Sequence, residues 1–358
     1  MQNDKAQQSE QDVQQEQSKN EADTVNEINR IFEGLALAVF ALPLFKIYFN
    51  RREALPISDT PTLAALSKSI DSAIEKALPA IYSVIHRNGL KSWKIGEKQG
   101  YVSLIGKVPG NAMLSLIDKG VFAHRDKAAA DFIERTTKGL KLSDRVWRLK
   151  QPLKIQIETT IQLAIHEGKA AIQVANDLKQ YLKNPDPLFS KTKNAGDKLK
   201  ISQAARLYRP GVGVYRSPIK NAHRLARNEI NKAYRNAEWA QMQDLPFVTG
   251  YRIKTSNNHP VPDICDTLKG LYPKDFKWSG WHVMCRCHMV KELISPEEFA
   301  RMQAGAFTPA QTNEYPHLFK EWCRDNKARI KPVSGIDWIE DNSKVLAIFG
   351  EKAPAMPQ

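Results

Sequence analysis

Residues Gly280–Val290 read GWHVMCRCHMV and place His282, Cys285, Cys287 and His288 within seven positions. The whole chain holds four cysteines and eight histidines, so this is a concentration of metal-binding side chains. Cys265 and His259 lie a short way upstream. Zinc takes thiolate and imidazole tetrahedrally, and a loop poor in regular structure gains folding stability from it. On a strand Cys285 and Cys287 share a face and can reach one ion. Cys265 with His282 or His259 then completes four ligands. The C-x-C spacing is tighter than that of a standard finger and no second C-x-x-C follows. The plainer alternative is a cluster of reduced, partly buried cysteines, with His282 hydrogen-bonded to backbone.

Immediately outward, PFVTGYRIKTS (Pro246–Ser256) is rich in β-branched and aromatic residues and predicts a strand, with a partner strand near Cys287–Val290. Between them NNHPVPDICDTLKGLYPKDFKWSG predicts turns and a short helix at Ile264–Leu268. A connection this long is uncommon unless functional or tied down. Before the first strand, Ser217–Met242 predicts a helix that Ser217 and Pro218 start. Stepping about 100° per residue puts Ala222, Ala226, Ile230, Ala233, Ala237 and Ala240 on one face and Arg224, Asn228, Asn231 and Arg235 on the other, with Arg227 close by. An outward basic stripe is expected there, joined by an exposed Arg216 directly after PGVGVY. Glu229 falls at the apolar edge, where an unpaired carboxylate is costly; Arg286 is its expected partner.

Farther out, the signals are helical. TPTLAALSKSIDSAIEKALPAIYSVI starts at Thr60 and Pro61, with Leu63, Leu66, Ile70, Ile74 and Leu78 at spacings of three and four. KAAADFIERTTKGL, DRVWRLKQPLKIQIETTIQLAIHEG and GKAAIQVANDLKQYLK continue the pattern. KNPDPLFSKTKNAGDKLK, lacking periodicity, predicts a linker. Residues 1–27 are polar and predict a disordered tail. Ile28–Asn50 predicts a helix interrupted near Pro43. Its run LALAVFALPLF (Leu35–Phe45) is shorter than the ~20 residues of a membrane span, so a buried helix is expected, with a partner-binding helix as the alternative, and no membrane partner. SPEEFARMQAG predicts a helix from Ser295, and Cys323 a packing role alone. The polar start lacks a secretory pattern, so reduced cysteines in a cytoplasm are expected.

The chain has 358 residues and a formal net charge of +14. Of this, +10 lies in the 68 residues Pro187–Lys254, which carry 14 basic and 4 acidic residues. Such an excess suits phosphate backbones or an acidic protein surface; a solvated basic face is the plainer alternative. No Walker, Rossmann or Gly-x-Ser-x-Gly motif is present, and the deaminase pattern fails because C-R-C lacks the required gap. A metal-dependent nuclease using His259, Asp263 and His282 is the enzymatic alternative, although paired carboxylates are lacking.

The ordered set GVYRSPIKNAHRLARNEINKAYRNAEW, VTGYRI, HPVPDICDTLKGLYPKDF and GWHVMCRC resembles the phage Mu F-like head morphogenesis family of minor head proteins. The match covers about Gly211–Val290. It departs at Val283, where the family often has Pro, and at Asn228, where it often has Thr. The resemblance implies motif positions Arg224, Arg227, Glu229, Asp263, Cys265, Gly270, His282, Cys285, Arg286 and Cys287. It further implies a non-enzymatic virion protein, present in host cytoplasm during assembly. Its partners would be the portal, other head proteins and packaged double-stranded DNA. The expected fold is α+β and mostly helical: a tail (1–27), a helical region (28–185), a helix-on-sheet domain with a Cys/His-rich loop (186–294) and a helical extension (295–358). Zinc is the one candidate cofactor, on Cys265, His282, Cys285 and Cys287, with a metal-free cysteine cluster as the alternative. Glu229, Asp263, Gly270 and Arg286 are expected to hold structure. Arg216, Arg224, Arg227 and Arg235 are expected to meet nucleic acid or portal.

Overall fold

The N-terminal helix, α1, spans Gln2–Ala41, where the sequence predicts a disordered tail. The computed structural model describes residues 2–43, 45, 61–199, 201–256, 261–330 and 336–350. The difference arises from a stripe of mostly polar side chains at helical spacing. Val13, Gln17 and Asn20 are buried. Val13 clusters with Ile95 and Val102. Ser92 Oγ donates to Gln17 Oε1 at 2.5 Å, and Asn20 Nδ2 donates to the Asn88 carbonyl at 3.0 Å. Lys98–Glu16 and Lys107–Glu10 ion pairs, at 2.9 and 3.0 Å, flank the stripe. Composition counts polar residues without asking which face they share, so it misses a helix held by buried amides. The expected break near Pro43 follows Ala41. Residues 46–60, including the expected helix cap Thr60, lie outside the described residues.

Helix α2 covers Pro61–Val102 and buries Leu66, Ile70, Ile74 and Leu78, as their spacing predicts. Then come α3 (Gly110–Asp118), α4 (Asp126–Glu134), α5 (Leu142–Trp147), α6 (Lys150–His166), α7 (Ala171–Lys183), α8 (Asp186–Ala195) and α9 (Gln203–Leu207). Helix α10 covers Pro218–Met242, β1 Val248–Lys254, α11 Ile264–Leu268, β2 Gly270–Pro273 and β3 His288–Leu293. The remaining helices are α12 (Pro296–Gln303), α13 (His317–Asp325), α14 (Asp337–Asp341) and α15 (Ser343–Gly350). The class is α+β and mostly helical, as expected. No described helix is long and apolar enough to cross a membrane.

The chain divides into two compact units made of interleaved segments, not the consecutive domains expected from sequence. One comprises Met1–Asn20, Asn88–Gly139 and Asn228–Gln358; the other comprises Glu21–Arg87 and Leu140–Arg227. In the second, α6 is the central helix. Every residue from Ile155 to Ile165 is buried, including Gln156, Thr159, Thr160 and Gln162. Its neighbours explain why the segment expected as a linker is folded. Leu188 of α8 and Leu199, after a 3-10 turn at Gly196–Lys198, pack with Leu163 and Tyr181. At the start of α10, Ser217 Oγ accepts from Lys220 N at 3.1 Å and donates to the Leu182 carbonyl at 2.7 Å. Cap and anchor are thus one hydroxyl.

In the first unit β1 is the central strand, antiparallel to both β2 and β3, with an irregularity at Val248–Gly250. Strand β2 is absent from the sequence expectation because GLYP is four residues long and contains proline. The expected C-terminal extension is part of this core. Phe319 is fully buried, with ring centroids 5.2 Å from Tyr272 and 5.5 Å from Phe276. Trp338 meets Trp281 edge-on at 4.9 Å and donates from Nε1 to its carbonyl at 3.1 Å. Aromatic pairs separated this far in sequence leave no periodic trace, and so the boundary at 295 does not hold.

Two outcomes follow for stability. Phe319→Ala should lower unfolding free energy by about 3–5 kcal/mol in urea melts, because it empties the centre of that ring cluster. His223 is partly buried beside Arg227 and Lys183; burial first, then those cations, hold its imidazole down at about 4, below its ordinary 6.5. The unfolded chain therefore takes up this proton first. The stability His223 contributes is full above about 6.5 and is lost as pH falls towards 4. Urea midpoints measured across that window should decline more steeply for the parent chain than for His223→Gln.

Candidate metal centre

Asp263 caps α11, its Oδ1 accepting from Cys265 N at 2.7 Å. This fixes the first turn and directs Cys265 into the core, where it is buried. On the return, the chain turns at His282–Cys285, with Cys285 N donating to the His282 carbonyl at 3.2 Å. Met284 within that turn has φ +62°, a left-handed conformation uncommon for a residue with a side chain. The turn brings Cys285 and Cys287 inward while Arg286 remains exposed. Both cysteines precede β3, so their common direction comes from the turn and not from the strand pleat expected.

The Cys265, Cys285 and Cys287 sulfurs lie within 4.8 Å of one another, and so do Asp263, Cys265 and His282 ligand atoms. Cys265 Sγ is 3.7 Å from Cys285 Sγ and 3.1 Å from His282 Nε2. Asp263 Oδ2 is also 3.1 Å from His282 Nε2. The far side of the ring fixes the tautomer: His282 Nδ1 lies 2.8 Å from the Val283 carbonyl, an acceptor only, so Nδ1 carries hydrogen. Nε2 of a neutral ring then turns a lone pair towards a sulfur and a carboxylate oxygen. Three electron-rich atoms converge where either a proton or a cation must sit. The buried thiols also share hydrogen bonds. Cys285 is drawn far down by S–H bonds from Cys265 and Cys287 and by the Arg235 charge, while sharing with Cys285 pushes Cys265 far up. The buried Cys265, Cys285 and Cys287 with His282 can hold a metal ion. Cys323 stands apart on α13, where burial pushes its thiol up to about 12. His259 lies outside the described residues.

Arg235 anchors this loop and corrects the expected outward stripe. Its guanidinium is buried. Nη1 donates to the Ser279 carbonyl at 3.0 Å, and Nη2 donates to the carbonyls of Cys287 (3.1 Å) and Cys285. The cation sits 4.8 Å above the Trp278 ring. Gly280, at φ +122°, permits the approach: a Cβ there would stand 2.7 Å from Arg235 Nη1. The other arginines of the stripe are half-buried and engaged. Arg227 Nε pairs with Glu21 at 3.1 Å, Arg216 Nε with Asp186 at 2.7 Å, and Arg224 covers Tyr215 at 4.8 Å. A helical wheel sorts residues by angle but cannot see which neighbours arrive to cover the polar side.

Glu229 is buried, as its angle on the wheel suggests, but its partner is Arg135 at 3.0 Å. Arg286 is not that partner; the tight turn aims it to solvent. Arg135 also lies 3.8 Å from Asp337, which Lys232 meets at 2.7 Å. Gly270, at φ +142°, packs so closely on Pro316 that a Cβ would lie 2.6 Å away. Two anchors were missed. Lys291 on β3 pairs with Glu238 on α10 at 3.0 Å and donates to Ser103 Oγ at 2.7 Å, all buried or nearly so. Glu238 lies one turn beyond Arg235, and that spacing was the available signal.

No protein-family model, curated protein or solved structure matches the chain.

A double-mutant cycle of Glu229→Gln and Arg135→Met should return a coupling of about 0.5–3 kcal/mol from denaturation midpoints. Arg286→Ala, a surface change, should stay within about 0.5 kcal/mol of the parent.

Proposed function

We propose that the chain is a non-enzymatic minor head protein of a tailed bacteriophage or prophage, with a structural zinc in its helix-on-sheet unit. The observation that carries this reading is the convergence of motif residues scattered over the sequence. Asp263, Cys265, His282, Cys285 and Cys287 form one cluster, with the Cys loop anchored to α10 through Arg235. A tetrahedral ion about 2.3 Å from each sulfur sets sulfurs about 3.8 Å apart; the Cys265–Cys285 separation is 3.7 Å. Three thiolates and an imidazole are the donor set of a closed structural site, which supports an architectural role over catalysis. Cys265, Cys285, Cys287 and His282 would hold the ion, and the Val283 carbonyl on Nδ1 would orient His282 from behind. The zinc would supply cross-linking of a loop that has little regular structure of its own. In this reading the protein acts in head morphogenesis beside the portal, and portal, other head proteins and packaged double-stranded DNA are its partners.

Purified chain should carry about one zinc by elemental analysis, falling below about a tenth in Cys285→Ser. Mass spectrometry of purified particles from a phage carrying this gene should find the chain at a few copies each. Particles of normal composition without it would overturn the head-protein reading. Divalent-metal-dependent DNA cleavage, abolished by Asp263→Asn, would establish the nuclease alternative instead.

A further inference from the structure

The basic excess of the sequence is concentrated ahead of the metal loop along the chain. Residues 188–224 carry nine Lys and Arg against a single acid, Asp197. Within the second unit the described residues of this segment cap α6 and α7. Leu188 and Leu199 hold it through the cluster with Leu163 and Tyr181. Gln156 Nε2 donates to the Arg216 carbonyl at 2.8 Å, and the Phe189 and Tyr208 rings meet at 6.1 Å. Farther along, Arg209 Nη1 donates to the Arg206 carbonyl at 3.0 Å. The inward side is thus packed, and the cations are left outside.

Lys193, Lys198, Arg206, Arg209 and Lys220 are all exposed. Among the described residues none of these five has a carboxylate partner, whereas Lys191 and Arg216, on the same cap, are neutralised by Glu167 and Asp186. A cap with five free cations and one acid is a repulsive arrangement that a polyanion relieves. Its aromatic rings separate duplex from single strand. Single strands bind by stacking bases on open aromatic faces. Here Arg216 covers Phe189 at 5.3 Å and Arg224 covers Tyr215 at 4.8 Å. One face of each of these rings is taken by a guanidinium, and the exposed cations offer phosphate contact.

We propose that the cap formed by α8, α9 and the start of α10, through Lys193, Lys198, Arg206, Arg209 and Lys220, is a sequence-independent binding surface for the phosphate backbone of double-stranded DNA. It deepens the head-protein reading, and rests on it only for which duplex is bound. It also moves the expected nucleic-acid contact from the α10 arginines, which are engaged within the protein, to the exposed cations before them.

The test is fluorescence polarisation of the full purified chain with a labelled 30-base-pair duplex of arbitrary sequence. Five phosphate contacts give a slope of log K against log salt of about −4.5, or about 500-fold weaker binding at 200 mM than at 50 mM salt. Arg206→Glu/Arg209→Glu should reduce the slope by about 1.8 or more. Lys91→Glu/Lys94→Glu makes the same charge change at exposed positions of the first unit and should leave the slope unchanged; circular dichroism checks folding of both variants. Equal loss in both pairs, or none in either, overturns the assignment. Tighter binding to a single strand of equal length overturns the duplex. Polyglutamate competing as well as duplex at equal charge points to an acidic protein surface and also overturns it. These outcomes are independent of whether particles contain the chain.

Discussion

A single buried cation sets the architecture around the cysteines. Arg235 leaves the middle of a long helix and satisfies the carbonyls of Ser279, Cys285 and Cys287 at once. The segment before β3 has no ladder of its own to absorb those carbonyls, and a buried carbonyl without a donor is costly. A planar guanidinium with five donors suits the task; lysine could not span the same fork. Trp278 beneath it and Gly280 beside it complete the seat. The S–H bonds from Cys265 and Cys287 draw Cys285 towards thiolate and the same cation adds to their pull, so one side chain both shapes the loop and contributes to its chemistry.

Around that clamp the first unit is held by contacts of quite different kinds. The Lys291–Glu238 pair ties β3 to α10 a turn away, Glu229 draws in Arg135, and the Phe319 and Trp338 rings close the far side. A buried ion pair is poor evidence of net stabilisation, but it is selective: each charge tolerates few alternative positions. Aromatic burial supplies bulk cohesion, and the charged pairs determine which arrangement receives it.

Local physics was readable in the sequence. The 264–268 helix, the Ser295 start, the apolar faces of α2 and α10, and β1 all follow from spacing and capping residues. Cys265, Cys285, Cys287 and His282 could be grouped from donor chemistry alone. Long-range pairings could not. That Glu229 would choose Arg135, that Arg235 would turn inward, and that Phe319 would join the sheet depend on chain segments far apart in sequence or on turns with no periodicity. The polar half of α1 failed for a related reason. Gln17 and Asn20 read as solvent-loving until Ser92 and the Asn88 carbonyl come to meet them.

The interleaving of segments has a consequence for biosynthesis. The chain emerges from the ribosome in one direction, yet the first unit draws on its opening twenty residues and on everything from Asn228 onward. The other unit has all of its residues available once Arg227 has emerged. The leading helical segment must therefore wait for α10, whose Asn231 meets Gln17 and whose Tyr234 packs on the Val13 cluster, to complete its surroundings.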